Sequence, residues 1–374
     1  MKILYISDTL ALWGGIERVL SCKANELAEH YGYKVCFVTT NQGSHPLLFH
    51  LAKGVCHVDL DLRLHRQYDY SVFKRILFLS RMKRLFKNRL NNEIERFQPD
   101  VVVLITIKYA GIVSEVVRSI PLLVESHSSF VSDKYDHASI LSRLNTYFNR
   151  RKLKQASGII ALTNKDSLNW QTISPHVFVI PNIVQLNDTG KYSDCRSNHA
   201  IFVGRITHQK DIASLIAIWR IVNNSFSNWH LDIFGDGELK DYYQSIVTNS
   251  NLNIHFYKPV SNIFSQYIER SMLLLSSLYE PFGLVLPEAM SCGLPVVAFD
   301  CPYGPADIIT DGVDGFLIKD RNVDLFAQRV CQLIESHELR LRMGKAGIAS
   351  SKRYRSEIIM PQWVSLFNQI VSSQ

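Results

Sequence analysis

Short apolar runs rich in Val and Ile recur along the chain, separated by longer stretches whose apolar positions keep a helical spacing. The runs Ile3–Ser7, Val35–Thr40, Val55–Leu60, Val101–Ile105, Leu122–Glu125, Ile159–Thr163 and Val177–Pro181 predict strands. Ile16–Tyr31, Val72–Phe97, Ile112–Arg118 and Ile140–Gln155 predict helices between them. Continuous apolar strands with intervening helices read as a parallel sheet covered on both faces. The pattern breaks at Gln185–Asn198, which is polar, carries Asn187, Asp188, Gly190, Ser193 and Asp194, and reads as a linker. A second series follows, with strands predicted at Ala200–Val203, Leu231–Phe234, Ile254–Tyr257, Leu273–Ser276, Val296–Phe299 and Phe316–Ile318. The expected fold is therefore α/β, with two doubly wound units over residues 1–184 and 185–355 and a final amphipathic helix. Such sheets bind ligands beyond the carboxyl ends of their strands, so two of these edges facing each other would form a deep cleft.

Composition narrows the class. A chain of 374 residues suffices for two domains of ordinary size, and 47% apolar with 20% charged residues excludes disorder as the starting assumption. No run approaches the roughly 20 apolar residues of a spanning helix, and the chain opens directly into a strand pattern with no signal peptide. A cytoplasmic protein is expected. The seven cysteines show neither a C-x-x-C pair nor zinc spacing, which argues against a disulfide framework and a structural metal. Cys22, Cys36, Cys56, Cys292 and Cys331 fall in apolar patterns and read as small buried residues. The net charge of +7 favours acidic partners without choosing among phosphates, nucleic acid and anionic lipid.

The chemistry-bearing residues cluster where strands hand over to helices. After Ile3–Ser7 comes Gly14-Gly15, either a tight turn or a glycine loop that lets a ligand approach a helix start. After Ala200–Val203 comes Gly204-Arg205-Ile206-Thr207-His208-Gln209-Lys210-Asp211. Gly204 permits a sharp exit from the strand, and Arg205 and Lys210 stand where a helix dipole favours anions, an arrangement that suits a diphosphate between them. After Leu273–Ser276 comes the most informative segment, in which Glu280 lies in the loop, Gly283 opens a helix and Glu288 lies about a turn and a half inside it. The N–H groups of Phe282-Gly283-Leu284 can cradle a phosphate, and the two carboxylates suit sugar and ribose hydroxyls. Gly235-Asp236-Gly237-Glu238 and Gly304-Pro305-Ala306-Asp307 occupy the same sheet edge, as simple turns or as parts of one site. In the first half, Glu125-Ser126-His127 follows a strand, and position alone leaves His127 open between a structural and a functional role.

Together these residues resemble the family 4 retaining glycosyltransferases of the GT-B fold, two Rossmann-like domains facing a central cleft. The resemblance spans nearly the whole chain and is strongest over residues 200–318. It implies an N-terminal acceptor-binding domain, a C-terminal nucleotide-sugar donor-binding domain, and a final helix (residues 356–374) that packs back on the first. By the E-x7-E match, Glu280 would hold the donor sugar and Glu288 the ribose. Arg205 and Lys210 match the diphosphate-binding pair, Gly15 the glycine loop near the diphosphate, and His127 a histidine that approaches the transferred sugar. Phe282, Gly283 and Leu284 match the segment whose backbone meets sugar and phosphate, with Gly204 beside the nucleoside. Where the family commonly carries glycine near the base, this chain has Lys258, so the base stays open, with UDP favoured by family frequency. The resemblance further implies transfer with retention of anomeric configuration, without a cofactor or a divalent metal. A saccharide or lipid-linked saccharide is the expected acceptor.

Segment Val72–Leu90 holds Lys74, Arg75, Arg81, Lys83, Arg84, Lys87 and Arg89 interleaved with apolar residues, and no acid. It reads equally as a membrane-surface helix for anionic lipid and as a domain helix with a solvated basic face. No nucleic-acid partner is expected. Two alternatives keep the fold: a nucleotide-sugar epimerase or phosphorylase, and a non-catalytic sugar-nucleotide or polyanion-binding module.

Overall fold

Two all-parallel sheets account for the thirteen strands among the described residues. The computed structural model describes residues 1–12, 14–64, 71–127, 130, 140–248 and 250–373, without the side chains of Val72, Phe73, Ile76 and residues 140–145. Phe73 and Ile76 of the basic segment thus lie outside the described side chains. The first sheet holds β1 (Lys2–Ser7), β2 (Lys34–Thr39), β3 (Val55–Asp59), β4 (Val101–Leu104), β5 (Leu122–Glu125), β6 (Gly158–Ala161) and β7 (Val177–Val179). Its order is β3-β2-β1-β4-β5-β6-β7. The second holds β8 (His199–Val203), β9 (His230–Phe234), β10 (Ile254–Tyr257), β11 (Met272–Leu275), β12 (Val296–Phe299) and β13 (Gly315–Ile318), in the order β10-β9-β8-β11-β12-β13. Each sheet is doubly wound, with its order reversing between β1 and β4 in one and between β8 and β11 in the other. That reversal is where such folds place ligands.

The chain divides into two compact units: Met1–Phe130, His137–Ile183 and Ser356–Gln374 form one, and Val184–Arg355 builds the other. In the first unit the strand period of two sorts side chains cleanly. Ile3, Tyr5, Val101 and Val103 join Leu20, Ala24 and Leu27 of the helix Gly15–Glu29 in one core cluster. Leu4, Ile6, Val102 and Leu104 join Phe86, Leu90 and Ile94 of the helix Val72–Phe97 on the other face. The C-terminal helix Ser356–Ser372 adds Ile359, Met360, Trp363, Leu366 and Phe367 to the first cluster, all buried. Both faces are therefore covered, which is why the strands are apolar throughout rather than alternating.

Three expectations need correction. Gln185–Asn198 is polar yet packed: Asn187, Ser193 and Cys195 are buried, the Asn187 N–H donates to Ser291 Oγ (3.0 Å), and Ser193 Oγ donates to the Arg270 carbonyl (2.5 Å). These buried positions anchor it to the second unit, while Gln185, Asp188, Thr189, Lys191, Asp194, Arg196 and Asn198 are exposed. Among the cysteines read as buried, Cys56 is exposed and Cys22 and Cys331 are partly so, because β3 lies at the sheet edge and the helices carry them off the core face. The helix predicted at Ile112–Arg118 begins earlier, as a 3-10 turn Ile107–Tyr109 followed by Ala110–Val116, since the Thr106 side chain accepts from the Lys108 N–H and starts it.

Candidate functional site

The loops after β8 and β11 meet at the reversal of the second sheet. Leaving β8 at Gly204, the chain exposes Arg205 and returns through a 3-10 turn (His208–Lys210) to Asp211. Asp211 caps the helix Ile212–Ser225, its Oδ1 accepting from the Ser214 N–H (3.2 Å). Two bonds stitch this loop to the next: the Leu278 N–H donates to the Gln209 carbonyl (2.8 Å), and Ser276 Oγ to the Lys210 carbonyl (2.8 Å). Lys210 Nζ is thereby delivered to Glu280 Oε1, with which it forms an ion pair. The same oxygen accepts from Ser277 Oγ at 2.6 Å.

Glu280 is only 4% exposed, so it is no ordinary surface acid of a helix start. Its backbone is held as firmly as its carboxylate. The Glu280 N–H donates to the Pro302 carbonyl (2.6 Å), and the Glu280 carbonyl accepts from the N–H groups of Tyr303 and Gly304 (both 2.8 Å). Gly304 is required here, because a Cβ at that position would stand 1.7 Å from the Phe282 carbonyl oxygen. Gly283 adopts a φ of +93°, in the region that favours glycine, and turns the chain into the helix Val285–Ser291. Glu288 lies in the first turn of that helix, earlier than the turn and a half expected, and is 2% exposed. The ring of Phe282 is buried edge-on against Tyr354 (5.3 Å), which leaves its backbone, not its ring, to meet a ligand.

The structure thus gathers Gly204, Lys210, Glu280, Phe282 and Gly283, carries Leu284 and Glu288 on the same short segment, and leaves Arg205 exposed beside them. Among the described residues Arg205 has no ion pair. Lys258 follows β10, the strand at the far edge of the sheet from β11, and is exposed; it is not brought into this cluster. Neighbouring loops are tied in at β9, where the Ile206 N–H donates to the Asp236 carbonyl (2.8 Å) and the Leu239 N–H to that of Ile206 (3.1 Å). Sequence reasoning missed Ser277 and Arg321. Arg321 donates to the Ser277 and Ser276 carbonyls (2.8 and 3.0 Å), pairs with Asp211, and lies over Phe299 (4.3 Å), bracing both loops from behind. The legible signal was a cation just past a strand on the same edge.

The first unit carries Gly15 and His127. Gly15 is exposed and opens the helix Gly15–Glu29, whose cap residue Gly14 offers no side-chain acceptor to the leading N–H groups. His127 is buried beyond β5, with Nε2 3.0 Å from Glu125 Oε1. The other carboxylate oxygen pairs with Lys23 Nζ, also wholly buried. Burial alone would push the Glu125 carboxyl up, but the Lys23 ammonium and His127 outweigh it and hold it at about 2. Lys23 was missed too, though a lysine in the apolar stripe Leu20–Ala24–Leu27 was a visible anomaly.

Two family models match the chain: Glycosyltransferase Family 4 over residues 13–188 and Glycosyl transferases group 1 over residues 191–350. This chain belongs to the family 4 glycosyltransferases. The glycosyltransferase is 28% identical to the amylovoran biosynthesis glycosyltransferase AmsD of Erwinia amylovora, over 98% of this chain and 99% of the relative. It is 21% identical, over 99% of both chains, to a Campylobacter jejuni α-1,4-N-acetyl-D-galactosaminyltransferase whose name specifies a GalNAc-bearing diNAcBac-PP-undecaprenol. The fold matches S. aureus TarM, solved with UDP, α-GlcNAc-glycerol and fondaparinux, at a TM-score of 0.80 and 15% identity over 98% of this chain and 99% of that one. Its fold is GT-B.

Proposed function

We propose that this glycosyltransferase moves a hexose or N-acetylhexosamine from a nucleotide sugar, UDP-linked by preference, to a saccharide acceptor carried on lipid, with retention at the anomeric carbon. The product belongs to a bacterial surface polysaccharide or glycolipid. The observation that carries the donor reading is the Lys210–Glu280 pair, held where the second sheet reverses, with exposed Arg205 alongside. A cation and a buried carboxylate kept adjacent suit a ligand that is a diphosphate at one end and a polyhydroxyl ring at the other. Names of the relatives agree in kind: amylovoran synthesis for one, an undecaprenol-linked saccharide for another, UDP bound in a structural neighbour.

In this reading Val184–Arg355 binds the donor and the first unit the acceptor. Arg205 and Lys210 neutralise the diphosphate, helped by the N–H groups of Gly283 and Leu284 and the helix start at Gly15. Glu280, braced by Ser277, orients the sugar hydroxyls; Glu288 takes the ribose; Gly204 borders the nucleoside. As the bond from C1 to the diphosphate oxygen breaks, the acceptor oxygen closes on C1 from the same face, and its proton passes to the departing phosphate. Fixed cations stabilise that leaving group without a divalent metal. His127 supports the transferred sugar.

The helix Val72–Phe97 would bring the enzyme to the inner face of the membrane. Lys74, Leu77, Arg81 and Arg84 share an exposed face, with Leu77 72% exposed, whereas Lys83 and Lys87 face Glu115. No helix among the described residues is long and apolar enough to cross a membrane. The test is a panel of nucleotide sugars with lipid-linked saccharides, following nucleoside diphosphate release and the anomeric configuration of the product. Release with an α-donor and an α-linked product is expected; an inverted product, or no release with any donor, refutes the reading.

A further inference from the structure

Lys23, Glu125 and His127 form a chain of three ionisable side chains, each at most 6% exposed. Glu125 sits in the middle: Oε2 pairs with Lys23, and Oε1 faces His127 Nε2 at 3.0 Å. With the ring as placed, Nε2 makes no aligned hydrogen bond among the described residues, and Glu125 is the acceptor in reach. Lys23 in turn lies against two aromatic faces, 3.8 Å from the Trp363 ring centre and 5.2 Å from that of Tyr5. Trp363 belongs to the C-terminal helix, and Lys23 to the helix that Gly15 opens, about 12 Å along its axis at 1.5 Å per residue.

A buried ion pair is a poor device for stability alone, since apolar residues of like volume generally do as well or better. The pair makes sense if the carboxylate is needed for something else and the ammonium is there to make it tolerable. Resting on the role proposed above for His127, we propose that Glu125 is its positioning residue, with Lys23, clamped by Trp363, as the counter-ion. Glu125 accepts from Nε2–H, which fixes the tautomer and the ring orientation and leaves the lone pair on Nδ1. The other titratable group facing the carboxylate is Tyr5 from β1, uncharged because burial and the nearby Glu125 raise its phenol well above its usual value. The C-terminal helix thus reaches His127 indirectly, through Lys23 and Glu125.

The test separates charge from hydrogen-bond acceptance. Lys23→Met with Glu125→Leu removes both charges and the acceptor; Lys23→Met with Glu125→Gln removes the charges but keeps an acceptor for His127. Both pairs should melt near the wild type. The Leu pair should lose roughly 10²-fold in kcat with donor KM little changed, and the Gln pair should recover most of it. Wild-type kcat in the Leu pair, with His127→Ala inactive, overturns the positioning role alone. Wild-type kcat in His127→Ala overturns the role of His127 itself and the proposal with it. Should the double variants not fold, 15N spectra of histidine-labelled wild-type protein decide: Nε2–H is expected at His127, and an Nδ1–H tautomer refutes the idea.

Discussion

Lys210 and Glu280 are 70 residues apart in sequence and share one ion pair, with Ser277 as the second partner of the same carboxylate oxygen. The pair is made by strand order: β8 and β11 are neighbours across the reversal of the second sheet, so the loops that leave them must meet. In the proposed cycle the donor separates them, its diphosphate taking the lysine and its sugar the glutamate.

Lys210→Met should therefore lower kcat/KM for the donor by roughly 10²–10³-fold, the scale of a lost charge-stabilising contact at a reacting centre. Glu280→Gln, which keeps the shape and the Ser277 partner, should lose turnover while the melting temperature stays within a few degrees. Steady-state assays of nucleoside diphosphate release beside thermal unfolding check both. Normal turnover in Glu280→Gln would remove the carboxylate from the chemistry.

Gly304→Ala probes the backbone under the site. The added methyl would lie 1.7 Å from the Phe282 carbonyl oxygen, so the Glu280 loop must move. A destabilisation of at least about 2 kcal/mol is expected, at the upper end of small-to-large changes in packed sites, together with weakened donor binding. Denaturant unfolding and donor titration measure the two. Unchanged stability would mean the loop has room to give.

Acid should act on the first unit through Glu125. Its folded carboxyl is held near 2, below the ordinary 4.5, so its contribution to stability is present above about pH 4.5 and fades as the pH falls toward 2. Without the Lys23 ammonium only His127 opposes burial, so the carboxyl is held down less and the contribution is smaller at neutral pH. Melting curves of wild type and Lys23→Met should differ most near pH 6 and converge as the pH falls toward 3, as the wild type loses the contribution that its carboxylate makes when charged. Parallel curves would show that Lys23 does not set the carboxylate.

For the membrane, vesicles containing anionic lipid should retain the protein at low salt and release it as ionic strength rises. Lys74→Gln, Arg81→Gln and Arg84→Gln together should abolish retention without affecting turnover on a short soluble acceptor. Equal recovery on neutral vesicles would dismiss the basic face as a solvated surface.

Much of this was legible because it is local. The Val- and Ile-rich runs mark β1 and β4 through β6 within a residue or two, and the helix Val72–Phe97 matches the periodicity at both ends. The segment from Ser276 to Glu288 announced itself by combining carboxylates, Gly and Pro between a strand and an apolar helix. What stayed hidden depends on tertiary neighbours. Ser277 and Arg321 look ordinary until strand order brings them to Glu280 and the carbonyls beside it. The polar stretch Gln185–Asn198 read as a linker because its anchoring residues, Asn187, Ser193 and Cys195, are single buried positions among exposed polar ones. Lys23 and Glu125, 102 residues apart, needed the sheet to meet.

The claim on which the rest depends is that the second sheet's strand-end loops grip a nucleoside diphosphate through Arg205 and Lys210. Calorimetric titration of UDP into wild type, Arg205→Ala and Lys210→Ala asks this directly, with no acceptor needed. Micromolar binding by the wild type and a loss of roughly 10²-fold in each variant are expected, with the heat signal diminishing as salt is added. Equal affinity in all three proteins, each correctly folded, would put the diphosphate elsewhere and end the assignment.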